Sequence, residues 1–327
     1  MKLPRKFTEY AILIIIIVTI FIVPHFVSSF GIHFFIILTM YAIMAIAWNW
    51  VGGYAGQVSV GHAVYFGIGA YSTAIVQEMF KLNPWFGLLT GVLVALLFSL
   101  AVGLPTLRLS GRYFVISTLA IGEIMYSLVM GWDFVGGGGG IYIKKIFYSF
   151  RSLTFTNIIS YFYLIFAFFL LSTVLTIWLE NSKLGFYLRA IKGDDEGARA
   201  LGVDLRTNKQ IALSMSAMMT AICGVFWVNY ASFIDPESAF INTISVRILL
   251  MAAVGGTGTA LGPVLGALII IPLTESSRVL FGSSGRGLDL LIYGFLIMII
   301  AVAQPRGIMG LFNRLSKPQK IDQELIT

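Results

Sequence analysis

The chain has 327 residues, 58% apolar and 11% charged, with a mean hydropathy of +0.89. Soluble domains carry roughly 25% charged residues, so this composition excludes a water-soluble globular protein, and continuous apolar runs such as IIIIVTIFIV exclude the alternating strands of a β-barrel. The net charge of +7 comes without a basic stripe of interleaved aromatics, so it reads as membrane topology and not as a nucleic-acid surface.

The first thirty residues resemble a signal peptide, with Lys2, Arg5 and Lys6 before an apolar core starting at Ala11. No small-x-small cleavage site follows that core, so an uncleaved first helix is expected. Spans are predicted at 11–30, 32–51, 62–79, 86–106, 112–131, 158–179 and 208–229, a broken pair at 245–256 and 261–275, and a last span at 288–304. Each full span is close to the ~20 residues that cross ~30 Å of hydrocarbon. The predicted fold is an all-α, polytopic transmembrane helix bundle of about nine to ten membrane segments, some broken or re-entrant. It forms a single transmembrane domain over residues 1–327, with no separate soluble domain.

Between the second and third spans, GGYAGQVSVG (Gly52–Gly61) is polar for membrane depth, and its candidate helix breaks are Gly52, Gly53, Gly56 and Gly61. Asn49, Gln57, Ser59 and His62 beside it are candidates for a translocation path, since glycine-broken apolar segments point to substrate routes in transporters. Close helix packing is the alternative use of the glycines, and it accounts equally well for Gly67, Gly69 and Gly266. In the fifth span, Glu123 of TLAIGEIMYS is an acidic residue deep in hydrocarbon, where a charge costs about 2.5–3.5 kcal/mol. It is expected to face the bundle interior, either on the path or as a structural carboxyl bonded to a neighbouring helix. The glycine-rich loop 132–157 is too short for a domain, and the lone Cys223, inside an apolar segment, reads as packing.

The one long polar stretch is Lys183–Lys209, KLGFYLRAIKGDDEGARALGVDLRTNK, which holds ten of the 37 charged residues. Gly193 interrupts what precedes it, Asp194 is a good N-cap, and Asp195 and Glu196 place negative charge on a first turn. Arg199 comes late and Gly202 suits a left-handed end, which describes a short helix over Asp195–Leu201. Seven residues span only ~10 Å and do not hold a helix alone, so a flanking span or a partner must support it, with apolar Ala198 and Leu201 as contact points. Further on, GGTGTALGP carries the candidate breaks Gly255, Gly256, Gly258, Gly262 and Pro263. A break there keeps both termini on the side of the polar block. Fifteen basic residues then fall inside against six outside, with Arg247 near a boundary, in keeping with the positive-inside rule.

The chain has no Gly-Lys pair and therefore no P-loop, no HExxH zinc spacing among His25, His33 and His62, and no G-x-S-x-G. No catalytic constellation and no metal site are read, so the chain is not expected to be an enzyme. An ion-coupled transporter acting alone is an alternative prompted by Glu123 and the glycine breaks. The polar block speaks against it, because a self-sufficient transporter has no need of a docking element.

That block resembles the cytoplasmic coupling loop of ABC importer permeases, with Glu196, Ala198 and Gly202 at the acidic, alanine and glycine positions and Gly197 departing from the usual double alanine. With it come GGYAGQVSVGHAVYFGIGAY, RYFVISTLAIGEI, FIDPESAF, GGTGTALGPVLGA and LLIYGFLIMIIAVAQPRGIMGL, in an order that resembles the LivM branch of the branched-chain amino acid permeases from Trp48 to Leu311. The resemblance implies a permease subunit of an ATP-driven importer in a prokaryotic cell membrane, with both termini cytoplasmic. It would work with a related second permease, two cytoplasmic ATPase subunits that hydrolyse ATP-Mg, and an extracytoplasmic solute-binding protein, and would itself bind no cofactor. Asp194, Asp195, Glu196, Ala198, Arg199, Leu201 and Gly202 would form the coupling element, and leucine, isoleucine or valine would be the substrate. Urea and short-amide permeases share these motifs.

Overall fold

The computed structural model describes residues 26–109, 111–144, 153, 155–281, 291, 294, 295 and 307–310. Most of the predicted first span, most of the last span at 288–304 and the basic C-terminal tail lie outside the described residues.

The helices are α1 (Ser29–Asn49), α2 (His62–Glu78), α3 (Pro84–Thr106), α4 (Arg112–Met130), α5 (Ile158–Asn181), α6 (Lys183–Gly193), α7 (Asp195–Ala200), α8 (Leu205–Ala231), α9 (Pro236–Phe240), α10 (Asn242–Gly255) and α11 (Gly262–Phe281). Two-residue strands β1 (Ile141–Tyr142) and β2 (Phe233–Ile234) pair antiparallel at the end of the bundle remote from the polar block. Among the described residues, six helical stretches are long and apolar enough to cross a membrane. The fold is an all-α polytopic bundle, and helices α1–α5, α8, α10 and α11 start within three residues of predicted span starts. Side-chain caps explain the sharp starts: Asn83 accepts from Trp85 N, Asn157 from Ile159 N, Ser182 from Gly185 N and Asp204 from both Arg206 N and Thr207 N.

At the centre stands α8, whose apolar window is 72% buried, against 28% for α3 and 22% for α4. It packs on α2 and α3, while α1 packs on α5 and on the α10–α11 pair. The α2–α8 crossing is as close as backbones allow. A Cβ on Gly69 would sit 2.1 Å from Ala221 O, and one on Gly224 2.0 Å from Phe66 O, so each helix needs its glycine to admit the other. For Gly69 this supports the packing use of the glycines.

Three features differ from the sequence expectation. At Gly52 and Gly53 the backbone widens instead of breaking, because α1 continues as a π-helix over Trp50–Tyr54 and leaves helical geometry only at residues 55–61. The polar block holds two helices, α6 and α7, and not one. The span before the second glycine cluster is itself interrupted, with α9 and α10 meeting at Ile241 (φ −59°, ψ 130°) inside the apolar stretch Pro236–Gly255.

Candidate functional site

Asp194 caps α7 by accepting from Glu196 N at 3.0 Å, Asp195 and Glu196 occupy the first turn, and Gly202 follows at φ +83°. The six-residue helix is held from within the chain. Ala198 is buried against Ile191, Leu205 and Val203, and Lys209 Nζ donates to Asp195 Oδ2 at 2.8 Å with the lysine side chain only 5% exposed. The opposite face is bare: Glu196 and Arg199 are exposed, and Leu201 is 85% exposed. α7 is thus anchored on one side and bare on the other.

The block connects inward through α6. Lys192 Nζ donates to Gly53 O at 2.8 Å, and burial of its ammonium end lowers its pKa from the usual lysine value. Asn49, fully buried, bridges to the second glycine cluster: its Oδ1 accepts from Gly258 N at 2.8 Å and its Nδ2 donates to Thr259 O at 2.9 Å. Glu180 Oε1 completes the junction, accepting from Tyr54 OH at 2.7 Å and from Ala260 N at 3.0 Å. The two glycine segments, 200 residues apart in sequence, therefore meet at the polar-block end of the bundle. Gly255 ends α10, Gly256 (φ +124°) and Gly258 (φ +81°) make a turn closed to side chains, and Gly262 with Pro263 starts α11. Residues 307–310 come back to the same end, where Gly307 lies against Gly256.

Asn49→Leu would strand the Gly258 N–H and the Thr259 carbonyl, at about 1–3 kcal/mol each if they stay buried. The expected result is a clear fall in the melting temperature of the purified, detergent-solubilised chain, with Asn49→Asp intermediate because it keeps the acceptor and loses the donor.

The remaining path candidates are spread around the junction. His62 is fully buried, with Nε2 at 2.8 Å from Ser216 Oγ and Nδ1 at 3.2 Å from Ser59 Oγ, and Gln57 is buried in the connection between Gly56 and Gly61. Gly56 packs under Lys192 at φ +70°, and Gly61 opens α2 against the Thr118 carbonyl. Glu123 does not face the interior. It is exposed on α4 and accepts from Asn242 Nδ2 at 2.5 Å, so a sideways bond to α10 satisfies it in place of burial.

None of these residues lines a cavity of about 190 Å³ between α1, α8, α10 and α11. Its polar wall is Tyr41, Ser238, Arg247 and Glu275, and Met40, Met44, Phe66 and Trp227 are among its apolar residues. Arg247 Nη1 donates to the Tyr41 hydroxyl at 3.2 Å, and its guanidinium carbon lies 5.3 Å from that ring's centroid. Met44 is five residues before Asn49, about 7.5 Å along the helix, which puts the cavity directly above the glycine junction. Among the described residues, no three His, Cys, Asp or Glu side chains gather as a metal site.

A polytopic bundle of long apolar helices, with a small charged cavity above a polar junction, is the architecture of a multi-pass membrane protein. The chain belongs to the family described as branched-chain amino acid transport system / permease component, whose model matches residues 32–301. It is 27% identical over 312 residues to the LivM permease protein of the high-affinity branched-chain amino acid transport system of Escherichia coli, covering 88% of this chain and 71% of that one. It is 23% identical over 329 residues to a probable LivM of Methanocaldococcus jannaschii, covering 86% and 93%. The LivH permease of the same E. coli system matches at 25% over 292 residues, covering 83% and 91%. No solved structure matches the chain.

Proposed function

We propose that the chain is the transmembrane permease subunit of an ATP-driven importer for leucine, isoleucine and valine. It pairs with a second, related permease, takes its solute from an extracytoplasmic binding protein, and is driven by two ATPase subunits that dock on α7 from the cytoplasm of a prokaryotic cell. Asp194, Asp195, Glu196, Ala198, Arg199, Leu201 and Gly202 form that dock. Both termini are cytoplasmic, in keeping with the charge bias of the polar block and the return of residues 307–310 to its end of the bundle.

The observation that carries this reading is the half-bare α7 joined to the glycine junction through Lys192. Displacement of α7 and α6 by closing ATPases pulls on Gly53 O, and through Asn49 and Glu180 the turn at 256–261 moves with it. The junction lies between the cavity and the polar-block end, so its opening gives the cavity access to the cytoplasm. In this scheme Asn49 and the glycines act on the path as its gate, Gln57, Ser59 and His62 brace that gate, and Glu123 faces the second permease, since a carboxyl left to lipid is costly.

The test is reconstitution of this chain in proteoliposomes with and without its ATPases, second permease and binding protein. Leucine accumulation that requires ATP and the full set is the expected result. Robust uptake by the chain alone, driven by an ion gradient, would overturn the importer reading, and uptake of urea in place of leucine would overturn the substrate class.

A further inference from the structure

Arg247 on α10 and Glu275 on α11 bring opposite formal charges into one small cavity. Arg247 is the twelfth residue of the twenty-residue apolar stretch Pro236–Gly255, and Glu275 the fourteenth of the twenty in α11. Ionisable residues at such depth are costly and mark substrate routes by default. Tyr41 and Ser238 add hydroxyls to the wall, and the remainder is apolar, with Met40, Met44 and Trp227 prominent. The volume of about 190 Å³ is below the roughly 300–1,000 Å³ of drug-sized sites, so the occupant is small.

We propose that this cavity holds the transported amino acid as its zwitterion, with the carboxylate on Arg247 and the Tyr41 hydroxyl, the ammonium on Glu275, and the aliphatic side chain among the methionines and Trp227. This rests on the importer reading above and assigns its substrate site. A zwitterion leaves water at a high cost unless both its charges are met, and a wall with one cation and one anion meets both while favouring neither a net anion nor a net cation. Arg presents a planar fork that matches a carboxylate, and the adaptable methionines accept leucine, isoleucine or valine alike. An uncharged solute such as urea can hydrogen-bond to the pair but lacks the two charges that the pair neutralises.

The experiment uses the complete transporter in proteoliposomes, with leucine as the probe. Arg247→Gln and Glu275→Gln are each expected to lower the initial rate of leucine uptake about tenfold or more, the scale of one lost charge-assisted contact, while assembly and ATP hydrolysis persist. In a second arm, Met44→Cys in a Cys223→Ser background is alkylated from the cavity. Leucine should slow that alkylation and urea should not, and Arg247→Gln should abolish the protection. Unchanged uptake in both glutamine variants, or alkylation indifferent to leucine, overturns the site. If either variant fails to assemble, the cysteine protection decides alone. A parent complex that accumulates no leucine overturns the importer reading itself, an outcome distinct from loss of the site.

Discussion

Glu196→Lys is expected to lower ATP-driven leucine uptake by roughly a hundredfold, equivalent to about 2.7 kcal/mol of lost coupling, while the chain stays at its normal level in the membrane. Glu196 is exposed on the first turn of α7, so reversing its charge opposes the helix dipole by only about 0.3–1 kcal/mol, too little to unfold a bundle held together elsewhere. The loss therefore has to arise in what α7 touches beyond this chain. Gly202→Pro should act in the same direction, because Gly202 sits at φ +83° and proline is confined near −65°. Gly202→Ala is the control: a Cβ there meets nothing within 4 Å, so only modest backbone strain follows and uptake should largely survive. The measurement is paired, with co-purification of the ATPases beside ATP-dependent uptake. If Glu196→Lys leaves both intact, α7 is not the docking element.

The second large effect concerns folding and not coupling. Gly224→Leu, or Gly69→Leu, should reduce the folded chain in the membrane about tenfold or more, since overpacking costs about 1–3 kcal/mol even where side chains can yield. Here the obstacle is main chain: Phe66 O stands 2.0 Å from a Cβ on Gly224, and Ala221 O 2.1 Å from one on Gly69. Because α2 and α8 form the central crossing of the bundle, there is no peripheral helix to absorb the shift. Membrane abundance and melting temperature of the solubilised protein are the readouts. Wild-type values for both in either variant would mean that the helices do not approach as closely as this geometry states.

Span positions were legible in the sequence because bilayer thickness imposes a length on every apolar run, while the caps Asn83, Asn157 and Asp204 that sharpen their starts were not read there. The α7 helix was legible for a local reason, through Asp194, Asp195 and Gly202. The cavity was hidden by small errors of boundary. Taking the broken span to start at 245 put Arg247 at its edge, whereas the apolar stretch begins at Pro236 and the arginine is near its middle. Ending the next span at 275 put Glu275 at a terminus, but α11 runs on to Phe281. Glu180 and Lys192 were invisible as site residues for a different reason: Lys192 binds the Gly53 carbonyl and Glu180 the Ala260 amide beside the Tyr54 hydroxyl, and no pattern of side chains announces a bond to backbone.

That last point has a practical consequence for mapping the junction. Gly53 contributes a carbonyl, Gly258 and Ala260 contribute amides, and Thr259 contributes a carbonyl, so the gate's bonding partners are peptide groups common to every residue. Conventional alanine scanning is silent about such atoms: Thr259→Ala preserves the bonded oxygen, and any change at Gly258 reports steric strain instead of the lost bond. Replacing single peptide amides by esters in this turn probes the contribution of each N–H, with Asn49 and Lys192 as the side-chain handles on Gly258 and Gly53 among the described residues.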